Sequence, residues 1–360
     1  MDTARVLRER FGDEHVTVAH SCFVDVDRAA KDADLLRRFG PPGKSHSRPV
    51  KPHIVVASQV AEQSLDVDFD LLVTDLCPVD LLLQRMGRLH RHQRGEGQSG
   101  RPKRLRTARC LVTGVNWQAD VPAPVRGSVA VYGAHMLLRS AAVLLPHLDA
   151  PVKPVRLPED ISPLVQGAYA DAPVGPAEWA EAMAKALEAH EEHRSDQAER
   201  AGTFRLDPVG RPGRSLIGWV TAGAGDADDS RAGRAQVRDS RESLEVIVVQ
   251  RRDDGTLTTV PWLANGKGGM ELPRDRPPSP TAARAAAGCG LRLPIQFSYA
   301  KVMDQAIAEL EELYVPAWQV KDSHWLAGQL ILALDGDCQT HLAGFQLKYS
   351  ERDGLEVTGA

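Results

Sequence analysis

Three polar residues, Gln84, Arg88 and Arg91, are spaced so that a single helix would present them on one face. A guanidinium group is planar and always charged, so it can bind a phosphate through two hydrogen bonds and stabilise charge that develops during phosphoryl transfer. Gly87 lies between them and would let a ligand approach the backbone closely. The pattern predicts a phosphate-facing site, and a solvated basic helix end is the open alternative.

A polar loop precedes these residues. It follows a predicted buried strand over residues 53–60, and a second strand is predicted over residues 71–76. Polar side chains at the carboxyl end of a parallel strand lie where α/β sheets bind ligands. Asp66 could accept a hydrogen bond from a ribose hydroxyl, whereas Asp68 and Asp70 are predicted to be surface carboxylates without a metal. Three further side chains could hydrogen-bond a nucleic-acid backbone, namely Ser58, Gln59 and Ser64.

A basic tract follows, although the whole chain carries a formal net charge of −4. Between Gln84 and Cys110 the only acidic residue is Glu96. The basic residues of this tract are Arg85, Arg88, Arg91, Arg94, Arg101, Lys103, Arg104, Arg106 and Arg109. Such a cluster suits phosphate contacts, whose strength falls steeply with salt concentration. The tract predicts binding of single-stranded nucleic acid, with an ordinary solvated loop as the alternative.

Short apolar runs separated by helical patterns would position these residues. Strands are predicted over residues 16–19, 53–60, 71–76 and 109–112, with a helix over residues 25–39. Runs that are apolar throughout are typical of a buried parallel sheet. The alternation predicts an α/β fold with a parallel sheet for the first domain, residues 1–126.

The pattern changes after this domain. Residues 127–236 are predicted to be a helical and flexible linker region, with helices over residues 129–145 and 179–194 and a flexible stretch over residues 221–236. Residues 237–360 are predicted to form a smaller mixed α+β domain. It would contain two β-hairpins, one turning at Asp253-Asp254-Gly255 and one at Glu351-Arg352-Asp353-Gly354, with helices over residues 281–287 and 303–313.

Composition limits the class of protein. The 360 residues include five dispersed cysteines without a CxxC pair, which favours reduced thiols over a disulfide framework. The N-terminus has no apolar region typical of a signal peptide. The most apolar stretch is interrupted by His135 and Arg139, so it is not expected to span a membrane. We expect a soluble cytoplasmic protein with no metal site.

The segment over residues 16–92 resembles the second RecA-like domain of the type I CRISPR-associated helicase–nuclease, a superfamily 2 enzyme recruited by the Cascade surveillance complex. His20-Ser21-Cys22-Phe23 resembles the motif IV of that family, residues 57–70 resemble its motif V, and residues 84–91 resemble its motif VI. Later stretches resemble the linker and C-terminal domain of the family. The resemblance implies an incomplete RecA-like domain, a helical linker and an accessory C-terminal domain.

The resemblance also implies roles for individual residues. Arg88 and Arg91 would be arginine fingers, Gln84 and Gly87 would face the nucleotide, and Asp66 would lie near the ribose. The residues implied to contact single-stranded DNA are His20, Ser21, Ser58, Gln59 and Ser64. One departure is Cys22, which stands where the family usually has arginine. A thiol cannot replace a guanidinium in binding DNA or in coupling two lobes.

The phosphate-binding half of that family is not recognisable in this sequence. The run Gly40-Pro41-Pro42-Gly43-Lys44-Ser45 ends in GKS, but a P-loop requires glycine where Arg38 stands. No D-E-x-H box or histidine–aspartate nuclease motif is recognisable either. We therefore expect ATP with Mg²⁺ to bind only together with a first RecA-like domain, and this chain alone to hydrolyse no ATP.

The leading hypothesis is the C-terminal portion of a CRISPR-associated, ATP-dependent DNA helicase acting in antiviral defence. Its expected partners are single-stranded DNA, Cascade and a separately encoded N-terminal helicase–nuclease half, without a membrane. The alternatives are a non-catalytic module that binds DNA or Cascade, and the remnant of a truncated helicase gene without independent activity.

Overall fold

A computed structural model describes residues 2–43, 48–58, 65–148, 153–202, 242–320 and 325–359. These residues form two compact units. Unit 1 comprises residues 1–68 and 241–360, and unit 2 comprises residues 69–240. The boundaries of these units differ from the domain boundaries expected at residues 126 and 236. The expected domain boundaries stay a prediction. The flexible stretch expected over residues 221–236 lies outside the described residues.

Helices and strands alternate in the first part of the chain and mix less regularly afterwards. The helices are α1 Asp2–Phe11, α2 Asp25–Phe39, α3 Val79–Met86, α4 Arg126–Tyr132, α5 Ala134–Leu144, α6 Ile161–Tyr169, α7 Ala180–Gly202, α8 Pro280–Ala287 and α9 Ala300–Glu311. The strands are β1 Val16–Ala19, β2 Ile54–Ala57, β3 Leu72–Asp75, β4 Cys110–Thr113, β5 Val115–Asn116, β6 Ala123–Pro124, β7 Glu245–Arg251, β8 Leu257–Thr258, β9 Gly290–Arg292, β10 Ile331–Leu334, β11 Gln339–Leu342, β12 Phe345–Ser350 and β13 Gly354–Gly359. The α/β class expected from the sequence is confirmed.

Parallel pairing occurs within each unit. In unit 1, β1 and β2 are parallel, with Val16 opposite Ile54 and Ala19 opposite Ala57. In unit 2, β3 and β4 are parallel and begin with Leu72 opposite Cys110. The strand–helix–strand order of β1, α2 and β2 agrees with the predicted alternation.

The second part of unit 1 is the expected mixed α+β module. Strand β7 pairs antiparallel with β8 and β9 and parallel with β10. Strands β11, β12 and β13 form an antiparallel meander. Both predicted hairpins are confirmed, because β7 and β8 flank the turn at Gly255 and β12 and β13 flank the turn before Gly354. Both glycines have positive φ, 82° and 71°, which L side chains rarely adopt.

One hydrophobic core joins the two stretches of unit 1. Val24, which precedes α2, is fully buried among Val246, Val248, Leu347 and Tyr349 of the later module. Removal of this apolar surface from water is the main force that stabilises such a core. The motif IV segment and the module after residue 241 therefore fold as parts of one unit.

A polar cluster crosses the same core. The Asp27 carboxylate accepts hydrogen bonds from the Tyr349 hydroxyl at 2.5 Å and from Trp262 Nε1 at 3.1 Å. The Tyr349 oxygen in turn accepts the Val24 N–H at 3.2 Å, and the Trp262 and Tyr349 rings stack at 5.3 Å. Burial, together with the adjacent Asp27 carboxylate, raises the pKa of Tyr349, which therefore stays a neutral donor.

His20 connects the end of β1 to the hairpin turn of β12 and β13. Its Nδ1 accepts the Cys22 N–H at 3.1 Å, so Nε2 carries the proton and donates to the Asp353 carbonyl at 2.9 Å. The ring also stacks on Phe23 at 4.6 Å. At Gly354 a Cβ would lie 2.4 Å from the Cys22 carbonyl oxygen, so this approach requires glycine. Both His20 nitrogens thus serve the fold of unit 1.

Unit 2 contains a second core around three helices. Leu76, Leu82, Leu137, Ala141 and Trp179 are buried in it. The guanidinium of the buried Arg139 on α5 donates to four carbonyl oxygens at and beyond the end of α6, at 2.5–3.0 Å, namely those of Gly167, Ala168, Ala170 and Ala172. Carbonyls at a helix C-terminus lack intrahelical partners, so this side chain caps α6.

The prediction of one continuous helix over residues 129–145 is wrong. Gly133, at φ 77°, separates α4 from α5, and the helical segments Arg126–Tyr132 and Ala134–His147 are bent by 106°. The helix predicted over residues 179–194 is confirmed and extends to Gly202. Within the described ranges, no single helix has the length and apolar character to cross a membrane, and only this bent pair would pass by length and composition.

Replacement of Tyr349 by phenylalanine tests the polar cluster of unit 1. Tyr349→Phe leaves the Asp27 carboxylate and the Val24 N–H without the hydroxyl, so we expect unfolding free energy to fall by about 1–3 kcal/mol. Urea denaturation followed by fluorescence measures this change. The control is Tyr314→Phe, because Tyr314 is 59% exposed and should change stability by less than about 0.5 kcal/mol. Equal effects of the two variants would contradict the assignment.

The environment of His20 predicts a pH dependence of unit 1. Burial lowers the pKa of His20 below its ordinary 6.5, although the Asp353 carbonyl opposes this shift. Below that pH the unfolded chain takes up a proton that the folded chain does not, so stability should fall as the pH decreases. We expect His20→Gln to make this dependence shallower. Urea midpoints from about pH 7.5 to pH 5 test it, with His341→Gln on the exposed side of β11 as control. An unchanged slope in His20→Gln would contradict the prediction.

Candidate functional site

Helix α3 presents the first residues of the predicted phosphate-facing site. It begins after Pro78, and the Val79 N–H donates to Ser140 Oγ at 3.0 Å. Its inner face is buried through Val79, Leu82 and Leu83. Gln84 is exposed and therefore lies on the opposite side of the helix from these buried residues. The helix therefore anchors Gln84 at the surface of unit 2.

Arg85 has a role that the sequence did not indicate. Its guanidinium donates to Thr74 Oγ1 at 2.6 Å and to the Asp75 carbonyl at 3.4 Å, both at the end of β3. It also reaches the Tyr132 hydroxyl at 3.4 Å. Arg85 thus joins α3 to β3 and α4, and it is not a solvated member of the basic tract.

The prediction that one helix carries Gln84, Arg88 and Arg91 is wrong. Helix α3 ends at Met86, where the Gly87 N–H still donates to Leu83 O at 2.9 Å. The chain then turns tightly and pairs with Phe69. The Phe69 N–H donates to Arg88 O at 2.8 Å, and Phe69 O accepts the His90 N–H at 3.0 Å. The helix ends because this pairing requires an extended segment.

This pairing determines where the two predicted arginine fingers lie. Arg88 is half-buried, whereas Arg91 is exposed and donates from Nη1 to Gly87 O at 3.2 Å. A Cβ on Gly87 would lie 3.2 Å from the Gln84 carbonyl, so the close approach at this glycine is with the end of its own helix. Gln84 lies in the last turn of α3, and Gly87, Arg88 and Arg91 follow the end of that helix. Their contacts with nucleotide stay a prediction.

Two acidic residues differ from their predicted surface positions. Asp68 is fully buried, its N–H donates to Phe39 O at 2.8 Å, and its carbonyl accepts Arg48 Nη1 at 2.9 Å. Asp70 forms an ion pair with Arg101, whose side chain has no exposed surface. The interpretation of Asp68 as a surface carboxylate is therefore wrong, whereas Asp70 is half-buried in its ion pair. Arg101 is a buried member of the basic tract.

Most of the remaining cations of the basic tract are exposed. Lys103, Arg104, Arg106 and Arg109 are exposed, and Arg94 is half-buried. Arg106 Nη2 also donates to the Ser99 carbonyl at 3.4 Å. The accessible positive charge is therefore concentrated on the loop before β4, which we name the basic loop, residues 103–109. This charge distribution suits contacts with phosphates.

The residues assigned to DNA from motifs IV and V lie in unit 1. Because β1 and β2 are parallel, His20, Ser21 and Ser58 follow the carboxyl ends of the two strands, and the Ser58 N–H donates to Ala19 O at 3.0 Å. Ser21 and Ser58 are exposed. Asp66 is half-buried in the same unit. Gln59 and Ser64 lie outside the described residues.

Cys22 contributes to the fold of unit 1 through its backbone and its side chain. Its carbonyl accepts the Leu355 N–H at 2.7 Å, and its side chain packs against the core of unit 1. Burial raises the pKa of the thiol, which keeps it neutral at physiological pH. The residue therefore supports the contact between the motif IV segment and β13.

No group of three or more His, Cys, Asp and Glu side chains could hold a metal ion within the residues that the structure describes. His190 and His193 lie on α7, and His190 stacks on His135 at 5.1 Å. The GKS run is described only up to Gly43.

Comparison with known proteins gives consistent results along the chain. Residues 1–94 match the family model described as CRISPR-associated nuclease/helicase Cas3, C-terminal. Residues 238–355 match the model of the Cas3 C-terminal domain. The CRISPR-associated nuclease/helicase Cas3 of Streptococcus thermophilus is 35% identical over 367 residues, which covers 99% of this chain and 36% of the relative. The chain thus spans about a third of the length of that relative.

Solved structures show the same fold. The crystal structure of T. fusca Cas3 matches 99% of this chain and 37% of its own, with 23% identity and a TM-score of 0.71. Its structure with ATP gives a TM-score of 0.67. A chain of a CRISPR RNA-guided surveillance complex, pre-nicking, matches 99% of this chain and 39% of its own, with 23% identity and a TM-score of 0.66. This chain belongs to the Cas3 family of CRISPR-associated nuclease/helicases and corresponds to the C-terminal part of its members.

Proposed function

We propose that this chain provides the second RecA-like lobe, the linker and the accessory domain of an ATP-dependent DNA helicase that acts in CRISPR antiviral defence. The observation that carries the proposal is the turn after α3. There the segment over residues 88–91 is held by the backbone of Phe69 and ends in the exposed Arg91. A fixed backbone with accessible guanidinium is what an arginine finger requires.

Arg88 and Arg91 are proposed to stabilise the charge that develops on a transferred phosphoryl group. A guanidinium keeps its charge at any physiological pH and presents donors in a planar fork that matches phosphate oxygens. Gln84 and Gly87 are proposed to face the nucleotide from the end of α3, and Asp66 to approach the ribose. The exposed position of Gln84 and Arg91 supports these roles.

ATP with Mg²⁺ would supply the phosphoryl group, and its phosphates would be held by a first RecA-like domain. The 360-residue sequence contains no P-loop pattern that could cradle them. The residues of unit 2 nevertheless fit one side of such a site, because Arg91 is an accessible cation on a fixed turn. The ATP-bound structure of the T. fusca relative supports use of this nucleotide.

Single-stranded DNA is proposed to contact both units. Ser21 and Ser58 are exposed at the carboxyl edge of β1 and β2, with Gln59 and Ser64 further along the chain, and contacts with a nucleic-acid backbone need no sequence readout. His20 lies at the same edge, but both of its ring nitrogens already bond within unit 1. The exposed basic loop would bind further phosphates. A surveillance complex such as Cascade is a proposed partner, because a similar chain occurs in one. We place the protein in the cytoplasm, with a separately encoded N-terminal half as a further candidate partner.

A non-catalytic module that binds DNA or Cascade is the second candidate. It is favoured by the exposed basic loop. This candidate predicts DNA binding that is sensitive to salt, without ATP hydrolysis in any mixture.

ATP hydrolysis measured in reconstitution tests the leading proposal. The chain alone should be inactive, and a mixture with the separately expressed front half of a related enzyme should hydrolyse ATP when single-stranded DNA is added. Arg88→Ala and Arg91→Ala should each lower kcat by at least about 1,000-fold, because an arginine finger has an effect of that order. The control is Arg126→Ala on the exposed start of α4, which should leave the rate unchanged.

The possible outcomes separate the two candidates. Hydrolysis by the chain alone would overturn the proposal, since it would require a phosphate site within these residues. A mixture that binds DNA but hydrolyses no ATP would favour the binding module. Loss of activity in Arg126→Ala to the same extent as in Arg91→Ala would show that the effect is not specific to the fingers.

The salt dependence of DNA binding tests the basic loop. Replacing Lys103, Arg104 and Arg109 with alanine should weaken binding of a single-stranded oligonucleotide. It should also make the slope of log K against log salt shallower by about 2, since each contact with a single strand contributes about 0.7. Fluorescence anisotropy at several salt concentrations measures both. The matched control replaces three exposed cations elsewhere in unit 2, Lys153, Lys185 and Arg194. Equal slopes in the two triple variants would exclude the basic loop as the contact.

A further inference from the structure

The Arg101 side chain is a buried cation that contacts three separate segments of unit 2. It has no exposed surface, and its Nη1 pairs with Asp70 Oδ1 and donates to the Phe69 carbonyl at 3.5 Å. Its Nη2 donates to the His92 carbonyl at 2.8 Å, and its Nε donates to Gln98 Oε1 at 3.0 Å. A buried guanidinium is stable only when its charge and its N–H groups are satisfied in this way.

These contacts lie on both sides of the turn that bears Arg88 and Arg91. The Phe69 carbonyl that receives Arg101 also receives the His90 N–H at 3.0 Å. The His92 carbonyl, on the other side of Arg91, receives the second Arg101 nitrogen. Arg101 therefore contacts the strand-like partner of the turn and the residue that directly follows Arg91.

We propose that Arg101 is a positioning residue, which acts through Asp70, Phe69 and His92 to hold Arg91 and the preceding turn in one conformation. It touches no nucleotide itself. This inference rests on the proposed role of Arg88 and Arg91, and it assigns to the basic tract a function other than phosphate binding.

The geometry explains why arginine is needed at this position. Acceptors on Asp70, His92 and Gln98 lie in different directions around one planar group, and the fork of a guanidinium reaches all three at once. A lysine would offer a single ammonium nitrogen, which could keep the ion pair with Asp70 but not the whole set. Arg101→Lys should therefore act as a partial replacement.

Amide hydrogen exchange of the purified chain tests the inference without any nucleotide. In Arg101→Gln, we expect exchange in the peptide over residues 86–93 to be at least about tenfold faster, because Arg101 no longer holds the Phe69 carbonyl that accepts the His90 N–H. Arg101→Lys should show a smaller increase. Exchange within α5, residues 134–144, should stay unchanged in both variants.

The matched control is Arg139→Gln, since Arg139 is also buried and also donates to backbone carbonyls in unit 2. This variant should accelerate exchange around α5 and α6 and leave residues 86–93 unchanged. Unchanged exchange of residues 86–93 in Arg101→Gln, or an equal increase throughout the chain, would overturn the inference. If Arg101→Gln does not fold, Asp70→Asn provides the same test with the same two outcomes.

The reconstituted ATPase separates this inference from the proposed function. With an active mixture, Arg101→Gln should lower kcat by roughly 10- to 100-fold, as expected for a misplaced catalytic group, with a smaller change in KM. Arg139→Gln should leave kcat unchanged in folded protein. Loss of activity in Arg91→Ala together with full kcat in Arg101→Gln would retain the proposed function and overturn the positioning role. An inactive wild-type mixture would overturn the proposed function, and the exchange result would still decide whether Arg101 holds the turn.

Discussion

The backbone of Phe69 determines the local geometry of the candidate site. Its N–H and carbonyl groups are both used by the segment after α3, through Arg88 O and the His90 N–H. A buried backbone group without a partner is destabilising by about 1–3 kcal/mol, so this pairing competes directly with continuation of the helix. The helix ends at Met86, and Gly87 keeps a helical backbone conformation at the start of the turn. The positions of Arg88 and Arg91 follow from this constraint and not from helical spacing.

The same principle operates in unit 1, where the segment after β1 is also held by a backbone group of a distant residue. The Cys22 carbonyl accepts the Leu355 N–H, and His20 reaches the Asp353 carbonyl. The buried hydroxyl of Tyr349 then connects this segment to the start of α2 through Asp27. The segment after β1 and the module after residue 241 consequently belong to one compact unit, although the sequence separates them by more than 200 residues.

Local features of the sequence predicted local structure well. The hairpins at Gly255 and Gly354 and the helix Asp25–Phe39 depend on residues close together in the chain, and all three were predicted. The end of α3 and the break at Gly133 were missed, although a glycine within a helical pattern is the available signal. The burial of Arg101 and its pairing with Asp70 could not be predicted, because the pairing spans 31 residues and a count of charges does not identify partners.

The basic tract therefore divides into arginines that stabilise the fold and cations that remain accessible. Arg85 and Arg101 both donate to acceptors within unit 2, and the Arg101 side chain has no exposed surface. They are consequently unsuited to release their contacts for a phosphate. Arg91 is exposed while its Nη1 donates to the Gly87 carbonyl, and the basic loop is exposed as well, which suits contacts with phosphate. A ligand would thus select among these cations by exposure, and the buried ones would fix the positions from which the exposed ones act.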